Sequence, residues 1–224
     1  VRECPTQGRR LSAHARGPML NSARQLLAGI ALTSLLALGF STPASAAPAA
    51  AKDAFKDRHS KVVELVKKHA EPDVLAKEVD SLLDYKALAE ASLGGPARYA
   101  SKCEPRCADF EALLTKLIRE NYLKRIRTDK KYELTIVGEE TKLGGDVHVV
   151  TNIALTRDGK PEVVEVVYVM HLVGETWKVQ DIITDGVSLA KNYKFEFNKI
   201  IRDKGIDELI LRLDNKLAEL AKKN

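Results

Sequence analysis

Trp177-Lys178-Val179-Gln180-Asp181-Ile182-Ile183-Thr184-Asp185-Gly186-Val187-Ser188-Leu189 is the stretch whose reading decides the fold. An alternating strand ends at the turn dipeptide Asp185-Gly186, and the chain passes at Val187 straight into an amphipathic helix. The stretch carries no catalytic signature. It reads as architecture that builds a hydrophobic interior.

Upstream of it the period of two persists. Residues 132–137, 146–157, 162–173 and 176–184 make four predicted strands, joined by turns at Gly144-Gly145, Asp158-Gly159 and Gly174-Glu175. Connections this short imply an antiparallel meander. In the second strand Val147, Val149, Thr151, Ile153 and Leu155 share one face. In the third, Val164, Val166, Tyr168, Met170 and Leu172 face one way and Val163, Val167 and Val169 the other, so this strand is expected to be covered on both faces.

Helical spacing flanks the strands. Val62, Val63, Leu65 and Val66 mark a first helix that Pro72 interrupts, and residues 74–93 read as one or two more, ended by Gly94-Gly95-Pro96. Phe110, Leu113, Leu114, Leu117, Ile118 and Tyr122 form the most regular stripe, with Asp109 and Glu111 in its first turn and Lys124, Arg125 and Arg127 in its last, as the helix dipole prefers. After the sheet, residues 187–202 and 206–222 form closing helices, the second with Ile206, Leu209, Ile210, Leu213, Leu217 and Leu220 as its stripe. The expected fold is a single α+β domain: a four-stranded antiparallel sheet packed by N- and C-terminal helices.

The N-terminal residues read as an export leader. Arg24 precedes an apolar run over residues 26–40, and Ala44-Ser45-Ala46 offers small residues for cleavage after Ala46. That run is shorter than the roughly 20 residues a membrane-spanning helix needs. Residues 1–18 precede Met19 without a structural pattern and suggest an over-extended start; 19–46 form the signal peptide, 47–57 a flexible linker with order beginning near Phe55, and 58–224 the folded domain. The expected compartment is the periplasm. The net charge of +5 is concentrated in the leader, where five Arg face Glu3 alone, and residues 47–224 keep 31 basic and 30 acidic residues. A nucleic-acid partner is therefore not implied.

Cys103 and Cys107 remain beyond the leader, in Cys103-Glu104-Pro105-Arg106-Cys107. An oxidising compartment favours a local disulfide over a redox or metal site, although free thiols fit the spacing too. His148 and His171 alternate among apolar strand residues without a metal-ligand spacing, so no metal or other cofactor is expected. Asp181 and Asp185, with Tyr168, could act as an acid/base set in a cavity. The competing reading gives Asp185-Gly186 to the turn and Asp181 to a hydrogen bond.

Leu93-Gly94, the helix over residues 110–122, Trp177-Lys178-Val179 with Asp181, Gly186-Val187-Ser188-Leu189, Asn192-Tyr193, Phe197 and Lys204-Gly205-Ile206-Asp207-Glu208-Leu209-Ile210 together carry a resemblance. Over residues 58–217 the chain resembles the MlaC, or toluene-tolerance, family of periplasmic phospholipid-binding proteins. The stretch 98–107, with its cysteine pair, departs from the family pattern. The resemblance implies a helix-covered sheet related to the NTF2-like cone, an interior hydrophobic cavity for acyl chains, and no enzymatic activity. It further implies a shuttle between an outer-membrane lipoprotein–porin complex and an inner-membrane ABC transporter, with transient membrane-surface contact, serving outer-membrane lipid asymmetry. Some relatives handle hopanoids instead.

Physical chemistry supports a cavity. Each buried methylene is worth about 0.8 kcal/mol, so carrying acyl chains through water requires deep apolar enclosure. The expected lining is Val149, Thr151, Val166, Tyr168, Met170 and Val179 from the sheet, Leu114, Leu117 and Ile118 as a roof, and Val187 and Tyr193 from the closing helix. A filled core would show the same pattern. A carrier, an NTF2-like enzyme using Asp181 or Asp185, and a solid-cored adaptor are therefore the three readings to separate.

Overall fold

A computed structural model describes residues 50–128, 133–157 and 159–222. The expected leader, Tyr132 of the first strand and Asp158 of the second turn lie outside the described residues.

Among the described residues, five helices precede the sheet. α1 (Ala51–Lys67) buries Phe55, His59 and Val62 along one face. The stretch 51–57, expected as linker, is thus helical: alanine costs nothing in a helix, Asp53 suits the first turn, and Phe55 packs on Tyr168 with ring centroids 4.2 Å apart. Pro72 opens α2 (Pro72–Leu82), where its missing N–H is no loss. Asp84 caps α3 (Tyr85–Leu93) by accepting from the Ala87 N–H, and Gly94 ends it at a φ of 107°, a conformation costly for any residue with a Cβ. α4 (Pro96–Cys103) and α5 (Cys107–Thr128) are joined by the Cys103–Cys107 disulfide.

The meander follows as β1 (Glu133–Thr141), β2 (Val147–Arg157), β3 (Lys160–Val173) and β4 (Thr176–Thr184), each antiparallel to its neighbour. A two-residue strand, β5 (Val187–Ser188), adds a fifth and pairs with Ile183 and Thr184. Val187, expected in the helix, is therefore a strand residue, because Gly186 reverses the chain tightly enough for it to pair back on β4. Ser188 caps α6 (Leu189–Ala221) by accepting from the Lys191 N–H. Gly205 breaks α6 at φ 83° and ψ 175°, dividing it close to where two helices were expected.

Residues Val149, Thr151, Val166, Tyr168, Met170 and Val179 form the covered face of the sheet, against α1, α2, α3 and α6. The opposite face is covered only in part: Val169 is buried and Val167 half-buried, while Val163 is 66% exposed. Val150, Val167 and Ile183 lie side by side across three strands there, so the valines serve strand propensity and cross-strand packing and not a second core. Register slips leave Val137 in β1 and Gln180 in β4 without opposite partners. Such bulges bend a strand and increase its twist. None of the helices among the described residues is long and apolar enough to cross a membrane.

Candidate lipid cleft

A cleft of about 380 Å³ opens between α5, the covered face of the sheet and the start of α6. α5 supplies Ile118, Asn121, Tyr122, Arg125 and Ile126, a run of i, i+3, i+4, i+7 and i+8 that keeps one helix face on the cleft. The sheet supplies Ile153, Val166, Tyr168, Ile182 and Thr184, of which Tyr168 lies opposite Ile182 and Val166 opposite Thr184. Val187, Ser188, Leu189, Asn192 and Tyr193 complete the wall. The surroundings are aliphatic and aromatic, with amides and one guanidinium set among them.

Two tyrosines are held by their own partners. The Tyr122 hydroxyl is hydrogen-bonded to the buried His59 ring at 2.7 Å, and burial pulls the His59 pKa down to about 4, so that imidazole is neutral at ordinary pH. Tyr193 stacks on Phe197 with centroids 4.8 Å apart, and Phe197 meets Phe110 edge-on at 5.9 Å, which ties α6 to α5. Burial pushes the Tyr193 phenol above its usual range, Glu196 pushes the same way, and the nearby Arg125 cation opposes both. Arg125 itself is exposed, and no carboxylate forms a salt bridge with it among the described residues.

The expected lining residues divide into two groups. Ile118, Val166, Tyr168, Val187 and Tyr193 face the cleft. Leu114, Leu117, Val149, Thr151, Met170 and Val179 do not line it; they are packed in the core, where the Thr151 hydroxyl donates to the Val166 carbonyl at 2.7 Å. Sequence reasoning missed Asn121, Tyr122, Arg125 and Ile126 of α5, Ile153, Ile182 and Thr184 of the sheet, and Ser188, Leu189 and Asn192. The α5 residues were available by continuing its stripe two turns beyond Ile118. The β4 residues were hidden by the bulge at Gln180, which moves the inward set from Val179 to Ile182 and Thr184.

Asp181 is committed elsewhere. Its carboxylate accepts from the Ile182 N–H at 2.8 Å, the Ala190 N–H at 2.9 Å and the Ser188 hydroxyl, pinning the start of α6 to β4. Asp185 sits exposed in the turn at a φ of 48°. Neither lines the cleft with Tyr168, so the acid/base set is not brought together there. His171 bonds the α3 cap, with Nε2 3.0 Å from Asp84 Oδ2. Among the described residues no three His, Cys, Asp or Glu side chains gather where they could hold a metal.

A family model described as MlaC protein matches residues 51–215. Among solved structures, the chain is similar to a phospholipid-binding protein from Ralstonia solanacearum, solved in complex with a phospholipid. The TM-score is 0.60 at 22% identity, covering 77% of this chain and 99% of that one, which shows a shared fold. No curated protein matches.

Proposed function

This chain belongs to the MlaC family, and from that premise we propose that it is a periplasmic carrier that takes phospholipid acyl chains into the cleft between α5 and the sheet. The observation that carries the reading is the cleft's composition: Ile118, Ile126, Ile153, Val166 and Tyr168 offer apolar wall, while Arg125 stands exposed among them. Ten methylenes moved from water into such a wall gain about 8 kcal/mol. An arginine can meet a phosphate with two parallel hydrogen bonds, which favours a phosphate-bearing lipid over an uncharged hopanoid.

The cleft's volume, about 380 Å³, lies near the lower end of the roughly 300–1,000 Å³ typical of ligand sites. It suits part of one acyl chain, and a two-chain lipid requires α5 and the start of α6 to part from the sheet. Family membership supports the wider role of a shuttle between an outer-membrane lipoprotein–porin complex and an inner-membrane ABC transporter.

Delipidated protein carrying Val187→Trp tests the reading, because Val187 is 62% exposed at the cleft. With Trp177→Phe in the same protein, so that the new indole is the sole emitter, added phosphatidylglycerol below its aggregation limit shifts the emission to the blue and saturates at a fixed stoichiometry. An emission that ignores lipid, or one that responds without saturation, removes the cleft as the site.

A further inference from the structure

Away from the cleft, α6 carries a second stripe. Lys191, Lys194, Phe195, Asn198, Lys199 and Arg202 recur at i, i+3, i+4, i+7, i+8 and i+11 and so share one face of the helix. Across from them stand Arg98 and Lys102 of α4, and together these side chains line a shallow depression of about 430 Å³. Gly94 lies at the bottom between the two sides: a Cβ built there would be in ordinary contact with Arg98 Cδ at 3.4 Å and Lys194 Cε at 3.8 Å. Lys102 donates to the Asn198 side chain. Six cations thus share this depression with Phe195, which is 76% exposed; on its other side Phe195 borders Glu196 and Asp203. Among the described residues Arg202 alone of the six forms a salt bridge, with Asp203.

We propose that this face docks the protein on the surface of an anionic lipid bilayer, with Phe195 entering the headgroup region and the cations meeting lipid phosphates. Two observations favour a bilayer over a protein. Four of the six cations are lysines, the residue depleted from protein–protein interfaces, and a single aromatic ringed by charge lacks the apolar centre such interfaces have. A basic helix face with an exposed aromatic is instead the composition of an interfacial membrane contact. The inference deepens the carrier reading and takes its purpose from it: Asn192 and Tyr193, between Lys191 and Lys194, face the lipid cleft, so docking holds the cleft close to a membrane.

The test is co-sedimentation of the purified protein with vesicles of neutral phosphatidylcholine alone or mixed with phosphatidylglycerol. Wild type binds the anionic vesicles at low ionic strength, ignores the neutral ones, and releases as salt shortens the screening length from about 10 Å at 0.1 M toward about 3 Å at 1 M. K191E/K194E/K199E binds more weakly by about a hundredfold or more, since each of the three cations at an anionic surface contributes roughly fivefold. Phe195→Ser weakens binding less and leaves the salt dependence unchanged. Equal binding to neutral vesicles, or a triple variant that binds as wild type, overturns the proposal. So does a wild type that ignores anionic vesicles while the triple variant loses delivery to a membrane complex, which would make the face a site for an acidic protein. Lipid extracted from the same preparations separates the two readings: a vesicle-binding protein that never carries lipid ends the carrier reading alone, and a lipid-loaded protein that never binds vesicles ends this one alone.

Discussion

His59 of α1 and Tyr122 of α5 share a hydrogen bond of 2.7 Å beneath the cleft. Burial depresses the His59 pKa from 6.5 to about 4, so the unfolded chain takes up the proton first as pH falls. Stability from this residue is present above pH 6.5 and is lost between pH 6.5 and about 4, to the extent of about 3 kcal/mol. Urea unfolding at pH 7 and pH 5 should show a larger loss for wild type than for His59→Gln. Equal slopes for the two proteins would contradict the assignment.

Asp181 satisfies two backbone N–H groups and a hydroxyl with one carboxylate. Asp181→Ala should cost about 2–4 kcal/mol, since it strands several donors at once, and Asp181→Asn should cost clearly less because one acceptor oxygen survives. Chemical denaturation measures both. An Ala variant as stable as wild type would mean that the start of α6 is held by other contacts.

Gly205 breaks α6 in a region of backbone space open essentially to glycine, at φ 83° and ψ 175°. Gly205→Ala is expected to cost about 1–3 kcal/mol and to lower Tm. A rise in Tm, as alanine gives at an ordinary helical position, would show that the break is not required.

Arg125 offers the cleft a cation. Its replacement by alanine should reduce retention of phospholipid through purification about tenfold or more, the worth of a charge-assisted hydrogen bond of about 1.5–3 kcal/mol, with Arg125→Lys in between. Phosphorus content per mole of protein is the readout. Unchanged content in the alanine variant would place the headgroup elsewhere.

Much of this fold was legible in residue order because local period and tertiary role agree. Phe110, Leu114, Leu117, Ile118 and Tyr122 are all buried along α5, and β2 and β3 pair through the Gly159 turn as their alternation requires. The site was less legible, for three physical reasons. A strict period of two cannot register an extra residue, so the bulge at Gln180 exchanged Asp181 and Ile183 for Ile182 and Thr184 on the inner face. Hydrophobicity does not distinguish a residue that packs from one that lines a space, so Val149 and Met170, fully buried, had the same signature as Val166 and Tyr168. Finally, the helix dipole accounts for the charge of the terminal cations of α5 but not for the direction in which Arg125 points.

Native mass spectrometry of the protein, purified without detergent from a membrane-containing host, tests the lipid-carrier proposal most directly. The expected spectrum contains protein with one added phospholipid mass, released on denaturation and recovered as a phosphorus-bearing lipid in the organic extract. A spectrum of protein alone, with no phosphorus-bearing lipid in the extract, would contradict it.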